Sequence, residues 1–190
     1  MSDLLAVAVL AAGSAERFGG GKLDAPVAGK PLGRWALDTA RKVENALVAV
    51  VGAEPKLAFA QGAEIIVNGY ARKGIGTSIS AAARWAMQAK ADALAILLAD
   101  MPLVSLATLE KLVEGELPAA VFYSDGQAGV PACFPAAMLP DLAVMTGEQG
   151  AAALLRERND VRLVATSTHE LRDVDRPEDL AEVAAILSTR

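Results

Sequence analysis

Residues 4–23 read LLAVAVLAAGSAERFGGGKL, and the fold follows from this stretch. The run 4–10 is apolar without a break, as in a strand covered on both faces of a parallel sheet rather than one alternating between core and solvent. A glycine-rich loop, 13–21, follows at once and ends on Lys22. Glycines let backbone amides approach and cradle phosphate oxygens. Arg17 and Lys22 add a planar fork and a point charge, a combination suited to polyphosphate. The loop is not a Walker A motif, because Glu16 stands where the first glycine belongs and Leu23 where the metal-binding Ser or Thr belongs. It also lacks G-x-G-x-x-G. From residue types alone, a flexible glycine-rich connection carrying two solvated cations is the competing reading.

Outward from this loop the chain alternates short apolar runs with amphipathic segments. Helices are predicted at 31–44, 76–89, 105–114, 149–157 and 177–187, and strands at 46–51, 64–67, 93–98 and 161–165. A hairpin is expected from 119–123 and 127–134, turning at Asp125-Gly126. This alternation predicts a doubly wound α/β fold: a mostly parallel sheet with helices on both faces, Rossmann-like, plus a small β-hairpin arm. No repeat or linker interrupts it, so residues 1–190 read as a single domain. In such a sheet ligands bind beyond the carboxyl ends of the strands, near a switch in strand order. The glycine-rich loop and Asp100, which follows the apolar run 93–98, both fall at such ends.

Composition narrows the partners. The 190 residues are 53% hydrophobic, enough for a core without staples, and the lone Cys133 excludes an internal disulfide and fits a reducing, cytoplasmic setting. No signal peptide is read before residue 4, and no apolar run nears the roughly 20 residues a membrane span needs. A net charge of −5 with 4% aromatics speaks against nucleic-acid binding. Cys133, Trp35 and Trp85 read as packing residues, and His169 as an exposed loop residue.

The loop 10–23, with GKPL at 29–32, resembles the signature of the MobA-like nucleotidyltransferases, and within them the molybdenum cofactor cytidylyltransferases. NGYARKGIGTSI at 68–79 is similar to the family's N-x-x-x-x-x-G-x-x-x-S segment, and LLADMP at 97–102 to its metal-binding motif. TGEQGA at 146–151 and DVDRPEDL at 173–180 are similar to its two closing motifs, in the family's order.

The resemblance implies that Ala11, Ala12, Gly13, Gly74 and Ser78, with Asn68, hold the nucleotide base, and that Arg17, Lys22 and Asp100 hold the triphosphate and promote transfer. It implies Mg²⁺ on Asp100 and Asp175, with Asp173 behind them. Magnesium takes oxygen ligands, commonly one or two carboxylates plus substrate phosphates. Helix capping is the competing role for all three aspartates, and a bond to a carbonyl one turn back for Ser78.

Ala12 stands where CTP-using members carry Ala and GTP-using members Gly, so the expected partners are CTP (or GTP) and a phosphorylated pterin-type acceptor, with transient contact to a molybdoenzyme. The hairpin and residues 147–150 are expected to face the acceptor. There Val130, Glu148 and Ala152 depart from the family's usual residues. Another phosphorylated acceptor (an isoprenoid, choline phosphate or cobamide), or a non-enzymatic chaperone of the cofactor, are the alternative functions.

Overall fold

The computed structural model describes residues 4–13, 18 and 20–189. Its centre is β1 (Leu5–Leu10), which pairs in parallel with β4 (Ala46–Gly52) on one side and β6 (Ala93–Leu98) on the other. The register is continuous: Leu10 lies opposite Val51 and Leu98. Side chains along β1 alternate between two cores, as the two-residue period of a strand requires. Ala6, Ala8 and Leu10 pack on α2 (Ile75–Gln88), through Ile79, Ala82, Ala83 and Ala86. Val7 and Val9 pack on α1 (Leu32–Ala40), through Ala36, Leu37 and Ala40. The unbroken apolar run is therefore the signature of a strand with a helix layer on each face.

The full sheet has seven strands in the order β5-β4-β1-β6-β8-β7-β9. Its remaining members are β5 (Glu64–Val67), β7 (Ala119–Phe122), β8 (Ala128–Pro135) and β9 (Arg162–Val164), and only β8 runs antiparallel. The chain builds outward from β1 to β4 and β5, then returns through α2 to β6 on the opposite side of β1. This is the switch point. The expected hairpin forms, and its strands extend the main sheet, with β8 paired to β6.

Three features went unread in the sequence. One is a two-stranded sheet of β2 (Pro26–Val27) and β3 (Lys30–Pro31). Another is α4 (Leu139–Ala143), too short for a helical period to show. The third is the early end of α1, where residues 41–45 form turns and Asn45 adopts a φ of 55°. The other helices, α3 (Leu106–Val113), α5 (Ala151–Arg156) and α6 (Asp179–Leu187), lie within their predicted spans. A third core joins Val27, Leu32 and Leu103 to Val174, Val183 and Leu187, and clamps the C-terminal segment beside the switch point.

Candidate active site

The carboxyl ends of β1, β4 and β6 carry their pairing past the last strand residues: Ala11 N donates to Val51 O at 2.8 Å, and Ala99 N to Leu10 O at 2.9 Å. Beyond them lies a cavity of about 340 Å³, lined by Ala11, Ala12, Gly13, Lys22 and Asp100 among others. Five of the residues singled out in the sequence thus share one wall. Gly21, with φ of 64°, starts the 3-10 turn Lys22–Asp24. A left-handed residue is readily supplied by glycine here, and the turn sends Lys22 inward.

Lys22 is 9% exposed. Its Nζ donates to Asp100 Oδ2 at 2.7 Å and lies 3.6 Å from Asp175 Oδ1. The two carboxylates come together because Val174 N donates to Asp100 O at 3.0 Å, tying the C-terminal segment to the loop after β6. Neither serves as the helix cap its position allowed. Ser105 caps α3 by accepting from Thr108 N, and Asp179 Oδ2 accepts from the amides of Asp175 and Arg176. Those bonds hold the Asp179 carboxyl below its usual range. Asp173 sits beside the pair, and its carboxyl is pushed upward, first by desolvation and then by the charge of Asp175.

The base-binding candidates divide. Asn68 and Ser78, both buried, meet each other: Asn68 Nδ2 donates to Ser78 Oγ at 3.0 Å and to Thr77 Oγ1 at 2.9 Å. Asn68 follows β5, with its amide bonded to Gly52 O. It borders a second cavity, of about 700 Å³, between β5 and α2, and does not line the first. Gly74 lies against the backbone of Gly147. Arg17 lies outside the described residues.

Several residues of the site gave no sequence signal. Lys56 and Asp24 line the first cavity, and Asp24 Oδ1 accepts from Phe59 N at 2.8 Å. The position of 53–56 just after β4 was the available clue, since loops at strand carboxyl ends gather around the ligand. Tyr123 donates from its hydroxyl to Val130 O at 2.6 Å, and its ring covers Gly129, where a Cβ would come within 2.7 Å of it. Burial pushes the Tyr123 hydroxyl up to about 12, with the charges of Asp173 and Asp100 adding to it. The hairpin turn is thereby fixed by a ring that lies within the field of the acidic cluster.

Residues 7–162 match the MobA-like NTP transferase domain. The chain belongs to the MobA-like nucleotidyltransferase family. Within its relatives, the purine catabolism protein PucB of Bacillus subtilis (strain 168) is 31% identical, over 94% of this chain and 95% of its own. Rv0371c of Mycobacterium tuberculosis H37Rv has a similar structure, with TM-score 0.77 at 23% identity over 96% of this chain and 98% of its own. That protein has also been solved in complex with manganese, where the likeness has TM-score 0.65 at 22% identity over 87% and 89% of the two chains. Molybdopterin-guanine dinucleotide biosynthesis protein A of Archaeoglobus fulgidus gives TM-score 0.75 at 22% identity, over 97% of this transferase and all of its own chain. Among the described residues of the transferase no helix is long and apolar enough to cross a membrane.

Proposed function

We propose that this transferase moves CMP from CTP onto the phosphate of molybdopterin or its molybdenum form, releasing pyrophosphate. The observation that carries the reading is the convergence of Lys22, Asp100 and Asp175 at the switch point, where Lys22 and Asp100 line the cavity bordered by the glycine-rich loop and Asp175 reaches Lys22 from the C-terminal segment. No nucleophilic side chain is needed. An acceptor phosphate oxygen forms the new bond to the α-phosphorus as the bond from that phosphorus to the pyrophosphate oxygen breaks, and both phosphates are already ionised at neutral pH. The protein's work is then to hold the two in line and to offset their charge.

Lys22, and Arg17 beside it in sequence, would neutralise the triphosphate as a point charge and a fork. Among the described residues no side chain covers Gly13 or Gly21 where they line the cavity, as close approach by phosphates requires. Asp100 and Asp175 fit a magnesium ion: their donors are carboxylate oxygens, and an ammonium group already lies between them, so the spot favours a cation. Bound there, the ion would screen the negative charge on the oxygens around the transferred phosphorus and on the leaving pyrophosphate. The manganese complex of Rv0371c is consistent with a divalent cation in this fold. Ala12, half-buried at the cavity wall, supports cytosine, and the Archaeoglobus fulgidus relative by fold supports a pterin acceptor.

Pyrophosphate release, measured with CTP and with GTP in Mg²⁺ across a panel of phosphorylated acceptors, tests the whole reading. Release with CTP and molybdopterin is expected. Release with another acceptor only would replace the acceptor, and no release with any would remove the enzymatic reading.

A further inference from the structure

We propose that Lys22 is an exchangeable counter-ion, which holds the Asp100–Asp175 pair in place of a divalent cation and leaves when a polyphosphate enters the cavity. The inference rests on the reading of those two carboxylates as the metal-holding pair. Lys22 Nζ is 2.7 Å from Asp100 Oδ2 and 3.6 Å from Asp175 Oδ1. A magnesium ion held by the same carboxylates would compete with the ammonium for its place beside them. Two cations in one partly buried spot repel, so they compete for it.

The lysine has somewhere to go. Its four-carbon stem rotates about a fixed backbone, and Gly13 and Gly21 line the same cavity, where no described residue lies within 4 Å of the place a Cβ would take on either. The other acids lining that cavity are Asp24, which accepts from Phe59 N, and the exposed Glu54, and a polyphosphate supplies a far denser negative charge to draw the ammonium there. Metal binding to the protein alone is therefore opposed by Lys22, and a polyphosphate that draws Lys22 away relieves the opposition. The coupling is reciprocal: whatever occupies the pair in place of Lys22 also readies Lys22 for phosphate. A lysine that stayed on the carboxylates throughout would give neither effect.

The test reads metal binding directly, through the signal of free Mn²⁺ in electron paramagnetic resonance titrations of the nucleotide-free protein. Lys22→Met, which keeps the stem, is expected to bind Mn²⁺ about tenfold more tightly than wild type, within the usual range of coupling between sites. Lys56→Met removes an exposed charge from the rim of the same cavity and is expected to change affinity by less than about twofold, since solvent screens it. Should Lys22→Met melt well below wild type, Lys22→Gln replaces it.

A double-mutant cycle then separates exchange from plain charge removal. Inorganic tripolyphosphate, titrated without metal, should bind more tightly after Asp100→Asn when Lys22 is present, and gain clearly less in the Lys22→Met background. Equal Mn²⁺ affinity in wild type and Lys22→Met, or equal gains in the two backgrounds, overturns the exchange and leaves the metal reading standing. Failure of every variant to bind Mn²⁺ overturns both.

Discussion

Gly74 and Gly147 meet backbone to backbone: a Cβ at Gly74 would stand 2.2 Å from the Gly147 carbonyl oxygen. That same oxygen accepts from Gly76 N at 2.9 Å. Two family motifs far apart in sequence, the one that opens α2 and the one at 146–151, are thus joined without a side chain between them. Gly74 has φ 106° and ψ 165°, a conformation essentially confined to glycine. Its structural role is to let the later loop close over the start of α2.

Gly74→Ala should therefore destabilise the protein by about 1–3 kcal/mol from backbone strain alone, with the steric conflict adding to it. Urea denaturation of wild type and variant measures the loss. An unchanged midpoint and slope would mean that the loop yields freely and that the contact carries no stability.

Asp100→Asn should leave the melting temperature within a few degrees of wild type and reduce transfer by roughly 10²–10³-fold, the scale seen when one group that stabilises transition-state charge is removed. Asn keeps the shape and a carbonyl acceptor toward Lys22 Nζ, so the packing at 2.7 Å has a substitute while the charge is gone. Steady-state turnover paired with thermal melting decides it. More than about a tenth of wild-type turnover at saturating substrate and metal would end the role of Asp100 as metal holder.

The central fold was legible because the residues at 4–10 and 93–98 are apolar on both faces, which only a strand under two helix layers requires. The place of Asp100 and Lys22 on the cavity was legible for a related reason, since the loops at the carboxyl ends of such strands gather around the crevice there. What stayed hidden depends on contacts between distant residues. Nothing in the local sequence of Tyr123 says that its hydroxyl reaches Val130 O, or in that of Glu170 that it accepts from Ser105 N and Thr108 Oγ1 at the start of α3. Likewise Asp175 could equally have capped α6, and only the fold shows its side chain turning to Lys22 while its amide donates to Asp179 Oδ2.

Glu170 gives the third prediction. Its Oε2 accepts from Ser105 N at 2.9 Å and from Thr108 Oγ1 at 2.7 Å, so a distant acid reinforces the cap of α3. Glu170→Ala removes both bonds and the favourable charge at the helix N-terminus, and a loss of about 1–2 kcal/mol is expected. Denaturant unfolding would register it. Stability equal to wild type would show that Ser105 alone suffices as the cap.

Tyr123 gives a pH dependence whose sign is fixed. Its hydroxyl is raised from 10.0 to about 12 in the fold, by burial first and then by Asp173 and Asp100. The folded protein therefore holds this proton more tightly than the unfolded chain. The stability that follows is fully present below pH 10 and is lost as pH rises through about 12. Unfolding followed from pH 9 upward should show a decline over that window that Tyr123→Phe makes shallower, because Phe keeps the ring over Gly129 and has no proton to lose. The same slope in both proteins would place the decline elsewhere.

The last prediction concerns base choice. Ala12 lines the cavity of about 340 Å³ beside Ala11 and Gly13, and its side chain is half-buried there. A purine needs more room than a pyrimidine, and a methyl group at this wall takes some of it away. One methyl in a pocket is worth about 1–3 kcal/mol, so the residue can supply a preference for CTP of roughly 10- to 200-fold and no more. Ala12→Gly should relax that preference without reversing it, because the remaining contacts with the base are unchanged. The measurement is kcat/KM for CTP and for GTP with one acceptor, in wild type and variant. A wild type that already prefers GTP would refute cytidylyl transfer and leave nucleotidyl transfer in place. A variant with an unaltered ratio would move the source of discrimination away from the loop, toward the Asn68–Ser78 pair at the start of α2.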